Sequence, residues 1–306
     1  MIVAEVVRSG FVESVHHGVV ALTTGAGFGD VTSPFFPRSS NKPLQTVGLL
    51  TSGLVPREEA DLALISGSHD GEKFHVERVR AMLAATGLDP SALRCPADLP
   101  LGETPRHAWL RGGGVAEPIL MNCSGKHAGM LATCVINGWP LDSYLDVDHP
   151  LQKALADAVS RLADEPIAAL GVDGCGAPIF AITPLGLARA FQRLVDAEPG
   201  SPERRVADAM RAHPELVAGT GTEDTVLMNA LPGLLVKKGA DGVAAAAVPG
   251  VGAVALKIAD GATRARVPVL LSALRRLGLE IPEAVSRLPE AVLGGGRPVG
   301  EVRAVW

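Results

Sequence analysis

Lysine is scarce in this chain. Of 28 basic residues only seven are lysine (Lys42, Lys73, Lys126, Lys153, Lys237, Lys238 and Lys257), and the rest are arginine. Arginine never gives up its proton, whereas a buried lysine can. In so arginine-rich a chain, a lysine close to a serine or cysteine therefore points to a need for a titratable amine. Lys42, Lys126 and Lys257 are the three so placed. Cysteine is also sparse: Cys95, Cys123, Cys134 and Cys175 are too few and too scattered for a disulfide framework. No long hydrophobic run occurs, because the most apolar window, 243–259, is interrupted by Pro249, Gly250, Gly252 and Lys257. Positive charge is not in excess either. A net charge of −5 and a pI near 5.9 argue against nucleic acid or an anionic membrane as the main partner. The first residues alternate like a strand around Glu5 and lack a signal-peptide pattern, so a cytoplasmic protein is expected.

What is present is a chain of 306 residues, 47% hydrophobic, able to bury a large core. Strand patterns occur at 2–7, 11–15 and 18–22, with His16-His17-Gly18 read as a tight turn. Helical periodicity follows at 40–51, 58–64, 72–85, 123–136, 149–163, 185–197, 202–212 and 263–277. Residues 88–118 read as a surface wrap, 242–248 and 252–258 as a hairpin, and the end of the chain as a Pro/Gly-rich tail. Strands at both ends with helices between them predict a single α+β unit, its first and last strands meeting in one antiparallel sheet.

Pro37-Arg38-Ser39-Ser40-Asn41-Lys42-Pro43 places a serine and a lysine three residues apart at a loop-to-helix junction. Residues at i and i+3 share a helix face, so Ser39 Oγ and Lys42 Nζ are expected within reach of one another. A serine needs such a base to become a nucleophile. The plainer alternative is that Ser39 or Ser40 caps the helix, with Pro43 in its first turn. Ser68 and His69 sit in a second loop rich in glycine, where Ser68 or Asp70 as a helix cap is the competing reading. Cys123, His127, Asp173 and Cys175 offer enough donors for a tetrahedral zinc, against the alternative that the cysteines are simply small buried residues. Lys257 is expected on the face of its strand opposite Val254, Leu256 and Ile258. The glycines at 25–29 and 219–222 lack the lysine and helix start of a phosphate loop.

Longer motifs join these stations. Val12-Glu13-Ser14-Val15-His16, Arg38-Ser39 with Lys42-Pro43, Ser68-His69, Asn122-Cys123-Ser124-Gly125-Lys126-His127-Ala128-Gly129-Met130, Gly171-Val172-Asp173-Gly174-Cys175-Gly176-Ala177-Pro178 and Lys257-Ile258-Ala259-Asp260-Gly261 run through nearly the whole chain. Together they resemble the Rhizobium etli-type L-asparaginases, the thermolabile asparaginase II family. That resemblance implies hydrolysis of L-asparagine by one asparaginase domain over residues 1–306, with a serine β-lactamase or penicillin-binding-protein-like fold and a homodimer. It implies two pairs, Ser39–Lys42 and Ser68–Lys257, and one zinc per chain on Cys123, Lys126, Asp173 and Cys175. In that ligand set Lys126 replaces the His127 chosen from ligand chemistry. Arg38 and His127 then remain for substrate binding, Arg38 because its planar fork suits a carboxylate. A cysteine usual in the hairpin near 242–247 is absent here, where the residues are Gly-Val-Ala-Ala-Ala-Ala. The competing expectations are a zinc-dependent or β-lactamase-like amidohydrolase acting on another amide, and a binding module without turnover.

Overall fold

The computed structural model describes residues 1–25 and 27–306. Ala26, in the loop expected at 23–37, lies outside the described residues. Strands β1 (Ile2–Arg8), β2 (Phe11–Leu22), β5 (Leu235–Gly239), β6 (Val243–Val248), β7 (Gly252–Ile258), β8 (Val292–Gly294) and β9 (Arg297–Ala304) form one sheet in the order β5-β6-β7-β2-β1-β9-β8. Every pairing in it is antiparallel. Strands β3 (Ala169–Val172) and β4 (Pro178–Ala181) form a separate antiparallel pair. The helices are α1 (Lys42–Thr51), α2 (Ala60–Ile65), α3 (Lys73–Ala85), α4 (Glu103–Arg111), α5 (Ser124–Asn137), α6 (Pro150–Ala163), α7 (Pro184–Asp196), α8 (Pro202–Ala212), α9 (Pro214–Val217), α10 (Glu223–Ala230), α11 (Arg266–Arg276) and α12 (Glu283–Ser286). The architecture is a mixed α+β one, and the two chain ends do meet: β2 pairs with β7, and β1 with β9.

Three local expectations change. The turn expected at 16–18 does not exist, and β2 runs unbroken through it. The reason is Gly18, where a Cβ would stand 2.5 Å from the Lys257 carbonyl oxygen. The glycine lets two strands approach closely rather than letting the chain reverse. The reversal falls instead at Ser9-Gly10, both left-handed (φ 49° and 82°), the backbone that a two-residue hairpin turn needs. The wrap expected over 88–118 contains α4, and the tail contributes β8 and β9.

Both faces of β6 and β7 are buried, and α7 and α11 pack against them. The run Ala244–Ala247 keeps this part of the sheet thin, so the helices can come close to it. One continuous cluster of buried apolar side chains extends from Val3 to Val302. In α5, Gly125 and Gly129 do the same for two helices. A Cβ at Gly125 would lie 2.7 Å from Leu64 O, and one at Gly129 would lie 3.0 Å from Ile65. This contact with α2 fixes the start of α5, and therefore Cys123, Lys126 and His127, beside the loop that follows α2.

Candidate active site

Residues 38–41 form a 3-10 turn that feeds directly into α1, with Pro43 in its first turn. Neither serine caps the helix. Asn41 occupies the cap position without a side-chain bond, and Ser40 Oγ donates to Lys237 O (2.8 Å) in β5. The strand thus ties down the turn that presents Ser39. Arg38 has φ +50°, a left-handed backbone that a side chain of its size rarely adopts. Its guanidinium holds that conformation from both sides, donating to Asp173 Oδ1 (2.8 Å) and pairing with Asp241. Backbone strain held in place by its surroundings clusters at functional sites.

Lys42 is 1% exposed. Its amine donates to Gly67 O (2.5 Å) and to Ser68 Oγ (2.8 Å). Those two bonds leave one further position on the amine nitrogen uncommitted. Ser39 stands at i−3 from Lys42, partly open to solvent, and its hydroxyl has no hydrogen-bond partner among the described residues. The expected Ser68–Lys257 pair does not form. Lys257 is half-buried and turned to the Asp241 carbonyl; burial and the nearby charge of Arg38 lower its pKa. Lys42, not Lys257, is the lysine that meets Ser68.

The Ser68 loop runs extended. The N–H of Ser68 donates to Val217 O (2.7 Å), that of His69 to Asn122 O (3.1 Å), and that of Asp70 to Ala218 O (2.7 Å). The alternation is that of a strand, so Ser68 and Asp70 face one way and His69 the other. His69 Nε2 lies 2.8 Å from Ser124 Oγ, which itself donates to Ile119 O. His69 is therefore the donor in that bond, carrying its proton on Nε2. Burial first, then the charges of His75 and Lys42, hold its pKa well below the usual histidine range.

Cys123, at the start of α5, and Cys175, between β3 and β4, are buried close together. Lys126 Nζ donates to Cys175 Sγ at 3.2 Å. The neighbouring Cys123 thiol, and then the Lys126 charge, pull the Cys175 pKa down, while Cys175 and burial push Cys123 up; the Cys123 thiol itself donates to Asn122 Oδ1 (2.9 Å). Burial opposes the charge on Lys126, but the Cys175 thiolate outweighs it and raises its pKa.

His127 is fully buried, so it lies away from any open substrate surface. Its Nδ1 lies 2.7 Å from the Tyr144 hydroxyl, which accepts from Arg94 N (3.0 Å). Among the described residues the Tyr144 proton has no other acceptor, so Nδ1 accepts it and Nε2 bears the ring proton. Nε2 has no geometric hydrogen-bond partner, although the Cys175 sulfur is near enough for its charge to act on the ring. Cys123, Lys126 and His127 all stand within interaction range of Cys175, and sulfur with nitrogen donors suits zinc chemically. Asp173 acts on Lys126 by charge but is bonded to Arg38. Among the described residues no three His, Cys, Asp or Glu side chains gather as a metal site would require. Arg38, expected to take a substrate carboxylate, is already engaged by two protein carboxylates.

Two buried groups were not expected. Lys237 is fully buried, with Nζ 3.7 Å from Asp224 Oδ2 and donating to Lys238 O at 2.8 Å. Burial lowers its pKa to about 7. Asn41 is 1% exposed, with neither side-chain atom hydrogen-bonded. The adjacent pair Lys237-Lys238 in a lysine-poor chain was the available signal for the first. Nothing in the sequence marks the second.

The L-asparaginase II family model matches residues 4–304. The chain belongs to the L-asparaginase II family. No curated protein matches it. Among solved structures, Mglu in its native form is similar at 16% identity and a TM-score of 0.44, over 85% of this chain and 62% of that one. Mglu in its tris and glutamate form is similar at 18% identity and a TM-score of 0.35, over 90% and 64%. This asparaginase II chain spans less than two thirds of the length of those proteins, and likenesses so distant carry neither fold nor site.

Proposed function

We propose that this chain is an L-asparaginase that hydrolyses L-asparagine to L-aspartate and ammonia through a serine nucleophile and a lysine base. The observation that carries the reading is the setting of Lys42: buried, donating to Gly67 O and Ser68 Oγ, and three residues after a serine whose hydroxyl is uncommitted. Ser39 Oγ attacks the side-chain amide carbon while Lys42 takes its proton. The backbone N–H of Ser39 faces the developing oxyanion. Lys42 returns the proton to nitrogen as the C–N bond breaks, and ammonia leaves a β-aspartyl ester on Ser39. A water then gives its proton to Lys42, attacks the ester carbon, and releases aspartate with the serine restored. Ser68 holds the lysine amine in place through both halves. Lys257 neighbours Arg38 and Asp241, and supports the strained backbone before Ser39 rather than handling the proton.

Zinc is the metal that suits the sulfur and amine donors, with one ion held by Cys123, Lys126 and Cys175 and by Asp173 if it exchanges Arg38 for the metal. Bound there, zinc supplies charge and rigidity next to the pocket. Two thiolates and a carboxylate make any bound water a weak acid, so the chain's own serine remains the nucleophile. An S-x-x-K turn beside the edge strand β5 of an antiparallel sheet supports a serine β-lactamase or penicillin-binding-protein-like arrangement, built as one asparaginase domain over residues 1–306. We propose the homodimer on the family resemblance alone. The four free, buried thiols suit a reducing cytoplasm. The test is ammonia release from L-asparagine and L-glutamine by the purified chain, alongside nitrocefin hydrolysis. Release from asparagine supports the reading; nitrocefin hydrolysis without it would favour a β-lactamase-like amidohydrolase.

A further inference from the structure

A cavity of about 250 Å³ lies where the chain enters α11, and none of Ser39, Lys42 and Ser68 lines it. Its walls include Glu223, Thr263, Arg264, Arg266, Leu288 and Glu290. Pockets for drug-sized ligands run to roughly 300–1,000 Å³, so this one suits a smaller molecule. Three features favour an anionic group in it. First, neither the 3-10 turn Thr263–Ala265 nor α11, which follows it directly, has a side-chain cap. No side-chain oxygen bonds the N–H groups at the positive end of this helical run.

Second, the charge of Arg264 meets no carboxylate among the described residues. Its Nε donates to His16 Nε2 (3.0 Å) and its Nη2 to Ser14 Oγ (3.2 Å). His16 in turn donates from Nδ1 to Asp260 Oδ2 (2.7 Å), so the acceptor facing Arg264 is a neutral ring nitrogen. Arg264 Nη1 is left over. Third, Arg266 is 7% exposed and only partly satisfied. Its Nη1 donates to Gly239 O (3.2 Å) and its Nη2 pairs with Glu223 (2.6 Å), but its buried Nε–H has no acceptor. Native folds rarely leave a buried donor so, and one beside a cavity can be met by a ligand there.

Glu290 brings the opposite sign. It is exposed, lines the same cavity, and makes no hydrogen bond or ion pair among the described residues. Val267 and Leu288 add an apolar wall for a short carbon chain. We propose that this cavity is a second, non-catalytic binding site for a small α-amino acid, whose carboxylate is taken by Arg264 and Arg266 Nε and whose ammonium is taken by Glu290. Guanidinium groups suit the carboxylate because their planar N–H array matches its two oxygens. The site stands without the asparaginase reading, which decides only that its product, L-aspartate, is the probe.

The test is isothermal titration calorimetry with L-aspartate and with succinate, which lacks the ammonium. Arg264→Gln and Leu288→Trp alter an exposed and a half-buried side chain, and Tm confirms folding. Arg264→Gln is expected to weaken one class of L-aspartate binding at least about tenfold, and Leu288→Trp, which fills the cavity, to abolish it. Glu290→Gln is expected to weaken L-aspartate at least about fivefold and leave succinate within about twofold. Equal losses of both probes in Glu290→Gln would overturn the amino-acid assignment. L-Aspartate binding that survives Arg264→Gln and Leu288→Trp unchanged, or none below about 10 mM, would overturn the site. Ammonia release from L-asparagine is scored separately. Release without a cavity-dependent class of binding removes this site and keeps the asparaginase reading; that class of binding without release does the reverse.

Discussion

The amine of Lys42 lies 2.8 Å from the hydroxyl oxygen of Ser68, a residue 26 positions further along the chain. This bond joins the start of α1 to the loop after α2. Ser39 stands one helical turn before that amine and makes no hydrogen bond to it. Gly67 O takes the other hydrogen. In the proposed mechanism Lys42 is the hub and the two serines take different parts: Ser68 supports and Ser39 reacts.

Replacing Lys42 by arginine is expected to be about as damaging as replacing it by methionine, each lowering kcat by about 10³-fold or more. Arginine keeps the charge but cannot shed a proton, and its larger head must fit a site that is 1% exposed. Steady-state kinetics on both variants, with circular dichroism to confirm folding, checks this. A Lys42→Arg enzyme near normal turnover would mean a fixed charge rather than a base.

Removing one member of the buried pair under the site is expected to cost stability. At about pH 6, where Lys237 is an ammonium, Asp224→Asn leaves it without its carboxylate, 3.7 Å away, and is expected to destabilise the fold by about 3–5 kcal/mol. Urea unfolding measures it. A loss below about 1 kcal/mol would show that Lys237 does not depend on Asp224.

Lys237 also predicts a pH signature. Burial lowers its pKa from 10.5 to about 7. Between those values the unfolded chain holds a proton that the folded chain has lost, so this residue makes stability rise with pH through that window. Below it the ammonium is buried at a cost. The Tm of Lys237→Met relative to the unmodified chain is thus expected to be most favourable near about pH 6 and to fall towards about pH 9.5. A difference that does not vary with pH would contradict the assignment.

Zinc is expected at about one per chain after purification in reducing buffer without chelator, and to be lost in Cys175→Ala. Chelation should lower the Tm of the unmodified chain and leave that of Cys175→Ala in place. It should raise KM for asparagine more than it lowers kcat. A thousandfold fall in kcat at constant KM would instead assign the metal a direct part in bond cleavage.

Much of this was legible before the fold was known, because helices α1, α5, α6, α7 and α8 carry strong periodicity and clear stops. Of the residues that the S-x-x-K spacing and the two cysteine loops singled out, the fold brings Lys42 to Ser68 and Lys126 to Cys175. The sequence could not reveal which lysine meets Ser68, since that depends on how two distant loops dock. Local spacing favoured Ser39–Lys42, and the hydrogen bond formed goes across to Ser68. Gly18 misled for a similar reason: a glycine that admits a neighbouring strand reads locally like one that turns the chain. The partners of Arg38, Asp173 and Asp241, meet only through tertiary contact, so a guanidinium that looked free for substrate was already engaged. The tautomer of His127 likewise depends on Tyr144, 17 residues away.

The most direct test of the account is ammonia release from L-asparagine by a folded Ser39→Ala chain, with zinc content matched to the unmodified protein. The Ser39 hydroxyl is partly open and makes no internal hydrogen bond, so its removal should leave stability nearly unchanged. If Ser39 is the nucleophile, release should fall by about 10⁴-fold or more. Release within tenfold of the unmodified chain would contradict it and leave Ser68 or the metal to perform the attack.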